Sequence, residues 1–299
     1  IIVIMNEAFS DLSVLGDFET NEDYMPFLHS LMQEGTPNTI SGHLNVSVLG
    51  GNTANTEFEF LTGNTMAFLP QGSVAYQQYV KSNDYSIATY LKSKGYDTIA
   101  MHPYNASGWD RDKVYPLLGF DTFYSLKDWV NPVKIRKYVS DQSCYDKIIE
   151  LYEQKDANTP FFLFNVTMQN HSSYSEEYDN FHPDITVEGT SSKILPNYLS
   201  LIKLSDQALE NLIEYFSQAD EDTIIVFFGD HQPSNSVAAP VWKINGRSGD
   251  SLTEEEEARR YKVPFIIWAN YDIEAASNVE TSANYLGGHV LRAAGLPLY

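Results

Sequence analysis

Apolar residues fall along this chain in two rhythms. Unbroken apolar runs appear at IIVIM (1–5), DTIAM (97–101), FFLFNVTM (161–168), TIIVFFG (223–229) and VPFIIWA (263–269). Short runs without polar alternation predict strands buried on both faces, as in a parallel sheet. Between them, apolar positions recur every three or four residues. MPFLHSLMQEG predicts a helix stopped at Gly35 and SIATYLKSKGY one stopped at Gly95, while DQSCYDKIIELYEQ and NYLSLIKLSDQALENLIEYFSQ predict two more. Strand and helix alternate with no repeat, low-complexity tract or linker. The pattern therefore predicts one α/β domain over residues 1–299, a doubly wound, mainly parallel sheet with helices on both faces. The run LTEEEEARR (252–260) reads as a charged loop or an exposed helix.

Charge narrows the partners. With 19 basic against 40 acidic residues the net charge is −21, which disfavours a nucleic-acid backbone and requires any anionic substrate to be met by a local cationic site. The single cysteine, Cys144, excludes an intrachain disulfide and a cysteine-based zinc cluster, and it falls within a predicted helix. No apolar run approaches the roughly 20 residues of a membrane span, and no signal peptide is visible. The abrupt start at IIVIM reads as a strand already in progress, so the chain is expected to be a domain whose upstream anchor is missing. Sequons occur at Asn45, Asn105, Asn165 and Asn170; Asn165 lies inside a predicted core strand, and the matches are read as chance.

Chemistry gathers where the strands end. In an open α/β sheet the loops beyond the strand carboxyl ends converge on one rim. There the sequence places Glu7 after the first run, His102 after the second, His171 after the third and Asp230-His231 after the fourth. Glu7, Asp230 and His231 offer oxygen donors with one imidazole, a set suited to Mn²⁺, with Mg²⁺ or Zn²⁺ as alternatives. The stretch GGNTANTEFEF places Thr53 behind two glycines. Two readings stand: Asn52, Thr53 and Asn55 cap a helix starting near Thr56, or Thr53 is a nucleophile bared at a tight turn and a fourth metal ligand. In HPYNASGWDR, Trp109 offers a flat face and Arg111 a fork suited to phosphate.

These motifs, strand–Glu7, GNTANTEF, HPYNASGWDR, TMQNHSSY and FFGDHQP, span nearly the whole chain. Together they resemble the extracellular catalytic domain of lipoteichoic acid synthases and related phosphoglycerol transferases, in the alkaline phosphatase/sulfatase superfamily. The resemblance implies Thr53 as nucleophile and Glu7, Thr53, Asp230 and His231 as ligands of one manganese ion. It implies His102, Trp109, Arg111 and His171 around the phosphoglycerol, with His171 as general acid or base and Arg111 neutralising phosphoryl oxygens. The implied donor is the phosphatidylglycerol headgroup and the acceptor a hydroxyl of a glycolipid or polymer, at the outer face of a membrane reached through an upstream anchor. The alanine of NEAF, where many relatives carry serine, and the short end at Tyr299 depart from the pattern; His289 is assigned a structural role. A phosphodiesterase or phosphatase using the same threonine, and a non-catalytic domain binding wall polymer or lipid headgroups, remain the alternatives. The absence of a Cys/Ser-x-Pro-x-Arg setting argues against sulfate-ester hydrolysis.

Overall fold

The computed structural model describes residues 1–298. In chain order the strands are β1 (Ile2–Asn6), β2 (Thr39–Asn45), β3 (Asp97–His102), β4 (Thr122–Ser125), β5 (Lys134–Ile135), β6 (Tyr138–Val139), β7 (Phe161–Val166), β8 (Ile224–Gly229), β9 (Lys262–Ala269) and β10 (Ala276–Ser282). Eight of them form one sheet in the order β10–β2–β9–β8–β1–β7–β3–β4, and β5 and β6 make a separate hairpin. All five predicted strands are present. One runs the wrong way: β9 is antiparallel to both β8 and β2. Its apolar run is buried on both faces like that of a parallel strand, and such a run reports burial, not direction. The strands missed are those whose sequences lack that run. β2 (TISGHLN) is broken by Gly42, where a Cβ would lie 2.0 Å from the Val279 carbonyl oxygen, and β10 (ASNVETS) is a polar edge strand.

The helices are α1 (Pro26–Leu31), α2 (Thr53–Thr62), α3 (Ala75–Gln78), α4 (Ile87–Ser93), α5 (Arg111–Leu117), α6 (Asp141–Gln154), α7 (Ile194–Ser217), α8 (Asn235–Ile244), α9 (Glu254–Ala258) and α10 (Ala283–Ala293). The pleat divides each strand between two cores. Ile2, Ile4 and Phe227 pack with α1, α6, α7 and α8, whereas Val3, Met5 and Phe228 pack with α2, α3, α4, α5 and α10. The sheet is thus covered on both faces, the alkaline phosphatase-like arrangement. The charged run 252–260 forms α9 and a turn of 3₁₀ helix, but it is not wholly a solvated face. Arg260 is buried and its guanidinium donates to Gln232 Oε1 and to the Pro233 carbonyl, tying down the loop after His231.

α2 carries the site. Every residue from Thr53 to Thr62 is buried, an unusual helix with no solvent face. Phe60 stacks on Phe164 of β7 at 5.7 Å and tilts against Phe228 of β8 at 5.3 Å, so the helix is seated over the two strands flanking β1. Burying such a ring contributes about 1.5–3 kcal/mol and also fixes where Thr53 lies.

Candidate active site

Glu7, His102, His171 and His231 project from the carboxyl ends of four neighbouring strands, as the sequence places them. Together with Thr53, Trp109 and Arg111 they line one cavity of about 360 Å³. Asp230 lies just beneath, fully buried. Two local features bring Glu7 against Asp230. Asn6 is in register with Gly229, so the residues just past both strands meet. Gly229 also admits the loop after β1, since a Cβ there would sit 1.9 Å from the Phe9 carbonyl oxygen.

The donor set at this point is only partly satisfied. Asp230 Oδ1 accepts from the Ala8 and His231 amides at 2.7 and 2.8 Å, whereas Oδ2 has no hydrogen-bond partner among the described residues. His231 Nδ1 lies 2.9 Å from the Gln232 carbonyl oxygen, which keeps the ring proton on Nδ1 and leaves the Nε2 lone pair free. Nε2 is 3.2 Å from Asp230 Oδ2 and 3.8 Å from Glu7 Oε1, and ligand atoms of all three residues lie within 4.8 Å of one another. Burial, then the Asp230 carboxylate, pushes the Glu7 carboxyl well above its ordinary range. Two buried, unsatisfied donor atoms and a crowded acid fit a hard divalent cation held by Glu7, Asp230 and His231. The Thr53 hydroxyl donates to Glu7 Oε2 at 3.4 Å and stands beside the same point.

The cap reading of GGNTANT does not describe what its side chains do. α2 begins at Thr53, not near Thr56, and Asn52, in the left-handed region at φ 63°, makes no side-chain cap bond. Asn55 instead ties α2 to the next segment, accepting from the Ala75 amide at 3.0 Å and donating to the Ser73 carbonyl at 2.8 Å. The Thr56 hydroxyl donates to the Asp230 carbonyl at 2.7 Å. Thr53 is therefore less bare than a loop-tip nucleophile, only 6% exposed, at the head of a helix whose first turn is closed by the Asn55 amide donating to the Asn52 carbonyl at 2.9 Å. Ala8, Asn52, Trp109 and Asp110 all adopt left-handed φ of 50–63°, and the first three line the cavity. Such conformations cost on the order of 1 kcal/mol apiece and concentrate where a site dictates the backbone.

Arg111 lines the cavity, yet the fork expected to clasp phosphate is already engaged. Its Nε lies 3.0 Å from Glu57 Oε1 and its Nη2 also binds that carboxylate, which accepts a further bond of 2.7 Å from the Tyr115 hydroxyl. Nη1 donates to the Gly108 carbonyl at 3.3 Å and makes no bond to Glu57 among those the structure records. Glu57, one turn beyond Thr53 on α2, escaped the sequence reading; an acid between the buried phenylalanines of TEFEF was its signal.

The two histidines differ. His102 Nδ1 donates to the Val166 carbonyl at 2.9 Å, and burial, then Arg111, hold the ring neutral by lowering its pKa well below the usual value. His171 is half-buried, its pKa also lowered by burial, with Nδ1 2.9 Å from the Ser172 carbonyl and 3.1 Å from the Tyr138 hydroxyl. The loop bearing His171 is clamped by Arg136, which donates to the carbonyls of Gln169, His171 and Ser173 at 2.6–2.7 Å. Below the cavity, Asn6, Asp141, Asn170 and Ser205 form a buried network: Asp141 Oδ2 accepts from Asn6 at 2.7 Å and from Ser205 at 2.6 Å, and Asn170 donates to both Asn6 and Ser205. It locks the residue before Glu7 to the residue before His171. Polar residues scattered over 200 positions carry no sequence signal of such a meeting.

A profile of the sulfatase family matches residues 1–296. The chain belongs to this family. Among curated family relatives, a Rhizobium meliloti (strain 1021) protein, named as a candidate cyclic β-1,2-glucan modification protein, is 32% identical over 99% of this chain and 45% of its own length. Lipoteichoic acid synthase 1 of Bacillus subtilis (strain 168) is 26% identical over 89% of this chain and 41% of its length. The chain thus spans less than half of these relatives. The phosphoglycerol transferase GacH of Streptococcus pyogenes, solved with sn-glycerol-1-phosphate, superposes with a TM-score of 0.81 and 24% identity over 99% of this chain and 75% of its own. That likeness shows the fold.

Proposed function

We propose that the chain is the catalytic domain of a phosphoglycerol transferase that moves glycerol phosphate from a phosphatidylglycerol headgroup to an acceptor hydroxyl through a phosphothreonine-type intermediate at Thr53. One observation carries the reading: Asp230 Oδ2 and His231 Nε2, without hydrogen-bond partners among the described residues, lie close to Glu7, and the Thr53 hydroxyl at the head of α2 contacts that same Glu7 at the cavity wall. The lipoteichoic acid synthase relative supports the donor class. Glu7, Asp230, His231 and Thr53 would hold a divalent cation, manganese being the proposed one. When bound, such an ion lowers the pKa of a coordinated hydroxyl and offsets phosphoryl charge. The remaining work falls to side chains. The Thr53 oxygen attacks phosphorus, its proton passing to Glu7 Oε2, and the phosphorus–oxygen bond to diacylglycerol breaks. The leaving alkoxide takes a proton from His171 Nε2. In the return step the acceptor hydroxyl attacks phosphorus and gives its proton to His171, while the bond to Thr53 breaks and Thr53 recovers its proton from Glu7. Neutral His102, Trp109 and Arg111 Nη1 position the glycerol phosphate. The domain would work at the outer face of a membrane; among the described residues no helix is long and apolar enough to cross one.

The test is chemical. Thr53→Ala should abolish transfer from a phosphatidylglycerol analogue while keeping stability within about 1 kcal/mol, since one methyl and one weak hydrogen bond are lost. Mass spectrometry of wild type after exposure to donor should place a glycerophosphate adduct on the peptide containing Thr53. Full turnover by the alanine variant, or an adduct elsewhere, defeats the proposal; release of free glycerol phosphate with every acceptor tried converts it to a phosphodiesterase.

A further inference from the structure

The candidate active-site cavity is poor in positive charge. Among the described residues that line it, Arg111 is the sole arginine, and no lysine is present. Its guanidinium is 2% exposed and faces the fully buried Glu57 carboxylate, with Nε at 3.0 and 3.3 Å from the two carboxylate oxygens and Nη2 bound to one of them. Glu57 itself does not line the cavity, and it accepts a further bond of 2.7 Å from the buried Tyr115 hydroxyl. A cation paired so closely acts on the cavity as one end of a dipole, whose field fades faster with distance than that of a lone charge.

The other groups supply no surplus. Burial, then Arg111, holds His102 neutral, and burial lowers the pKa of His171 as well. The His231 ring keeps its proton on Nδ1, toward the Gln232 carbonyl. A divalent cation held by Glu7, Asp230 and His231 would do no more than offset the two carboxylates. Every positive charge at the site is thus matched by an acid before an ester arrives. A phosphodiester brings one negative charge, whereas a phosphomonoester brings two above about pH 6. In this cavity the second charge loses water and meets no cation of its own.

We propose that Glu57 is a specificity-determining residue: by neutralising Arg111 it makes the site take singly charged phosphodiesters in preference to doubly charged phosphomonoesters. The inference rests on the phosphoglycerol-transfer reading for its place in the reaction, but not for its binding test. In that reaction the phosphorus is a diester in the donor, in the Thr53-linked intermediate and in the product. Only capture by water yields a monoester. Glu57 acts through Arg111 without touching substrate, so its role is to set charge and position.

Calorimetric titration of wild type in Mn²⁺ at about pH 8, with dimethyl phosphate and with methyl phosphate, reads the preference without turnover. Dimethyl phosphate should bind at least as tightly, although methyl phosphate carries twice the charge. Glu57→Gln, which frees the Arg111 charge, should move the ratio of the two dissociation constants about tenfold or more toward methyl phosphate. Glu57→Asp, which keeps the charge, and Tyr115→Phe, which removes a bond to Glu57 but no charge, should leave that ratio unchanged. The double variant Glu57→Gln with Arg111→Met should return it toward the wild-type value. Should Glu57→Gln alone fail to fold, the wild-type ratio and the double variant carry the test. Methyl phosphate binding to wild type about tenfold or more tightly than dimethyl phosphate overturns the proposal, as does binding of neither ester. Equal weakening of both esters in Glu57→Gln overturns it too, since a purely structural role predicts that result. Absence of any transfer by wild type, with the charge preference intact, would instead count against the functional reading alone.

Discussion

Thr53 and Glu57 stand one turn apart on α2, and the two buried acids beside them, Glu7 and Glu57, are treated in opposite ways. Glu57 faces Arg111 across two nitrogens and accepts from Tyr115, a buried charge matched by an opposite charge and further hydrogen bonds. Glu7 faces Asp230, a second acid, and its side chain accepts one bond of 3.4 Å from Thr53. A buried carboxylate with a cation beside it holds the fold; one crowded against another carboxylate keeps its donors for something from outside. The difference between scaffold and site is therefore one of pairing, at equal burial.

The largest effect should come from breaking the matched pair. Glu57→Gln leaves the Arg111 guanidinium buried without its counter-charge, which typically costs about 3–5 kcal/mol. Urea unfolding measures it; a loss under about 1 kcal/mol would show that the pair is not what seats Arg111. The double variant Glu57→Gln with Arg111→Met should recover part of that loss, since the stranded charge is gone.

Asp141 sharpens the comparison as an intermediate case, hydrogen-bonded but without a cation. Burial raises its pKa from 3.8 to about 6, against the lowering effect of its bonds from Ser205 and Asn6. The folded protein therefore holds a proton that the unfolded chain releases between those values. Its contribution favours folding below pH 3.8 and is lost as pH rises through about 6, a change of about 3 kcal/mol. Asp141→Asn should remove that slope from a stability-versus-pH curve taken between about pH 4 and 7. Parallel curves for wild type and variant would refute the assignment. Asp206, raised to about 6 by burial, contributes a slope of the same sign to both proteins and cancels in the comparison.

The smallest effect tests the unmatched cluster. Asp230→Asn preserves the acceptor for the Ala8 and His231 amides while removing one of two crowded charges. In chelator the variant should be at least as stable as wild type. Added Mn²⁺ at about 100 times its Kd should stabilise wild type by about 2.7 kcal/mol and the variant by nothing measurable. Equal stabilisation of both proteins would place the cation elsewhere.

Much of the fold and the rim is legible in the order of residues alone. Unbroken apolar runs locate five strands, and helical spacing locates α1, α4, α6 and α7, because burial on one or two faces writes directly into residue choice. The chemistry-bearing residues stand immediately after those runs, so Glu7, His102, His171, Asp230 and His231 are placed on one rim by the architecture. Order along a strand is local information, and so is the identity of the residue just past its end. The direction of β9 was not legible, nor the polar strands β2 and β10, because neither direction nor edge pairing alters the composition of a buried run. Pairing was beyond reach as well. That Arg111 would spend its fork on Glu57 and that Arg136 would clamp the His171 loop each depend on segments distant in the chain arriving at one place. The sequence by itself determined which groups reach the rim; only the tertiary structure decided which of them are neutralised by neighbours and which are left open, since a buried charge has no preference for a partner's position in the chain, only for its distance.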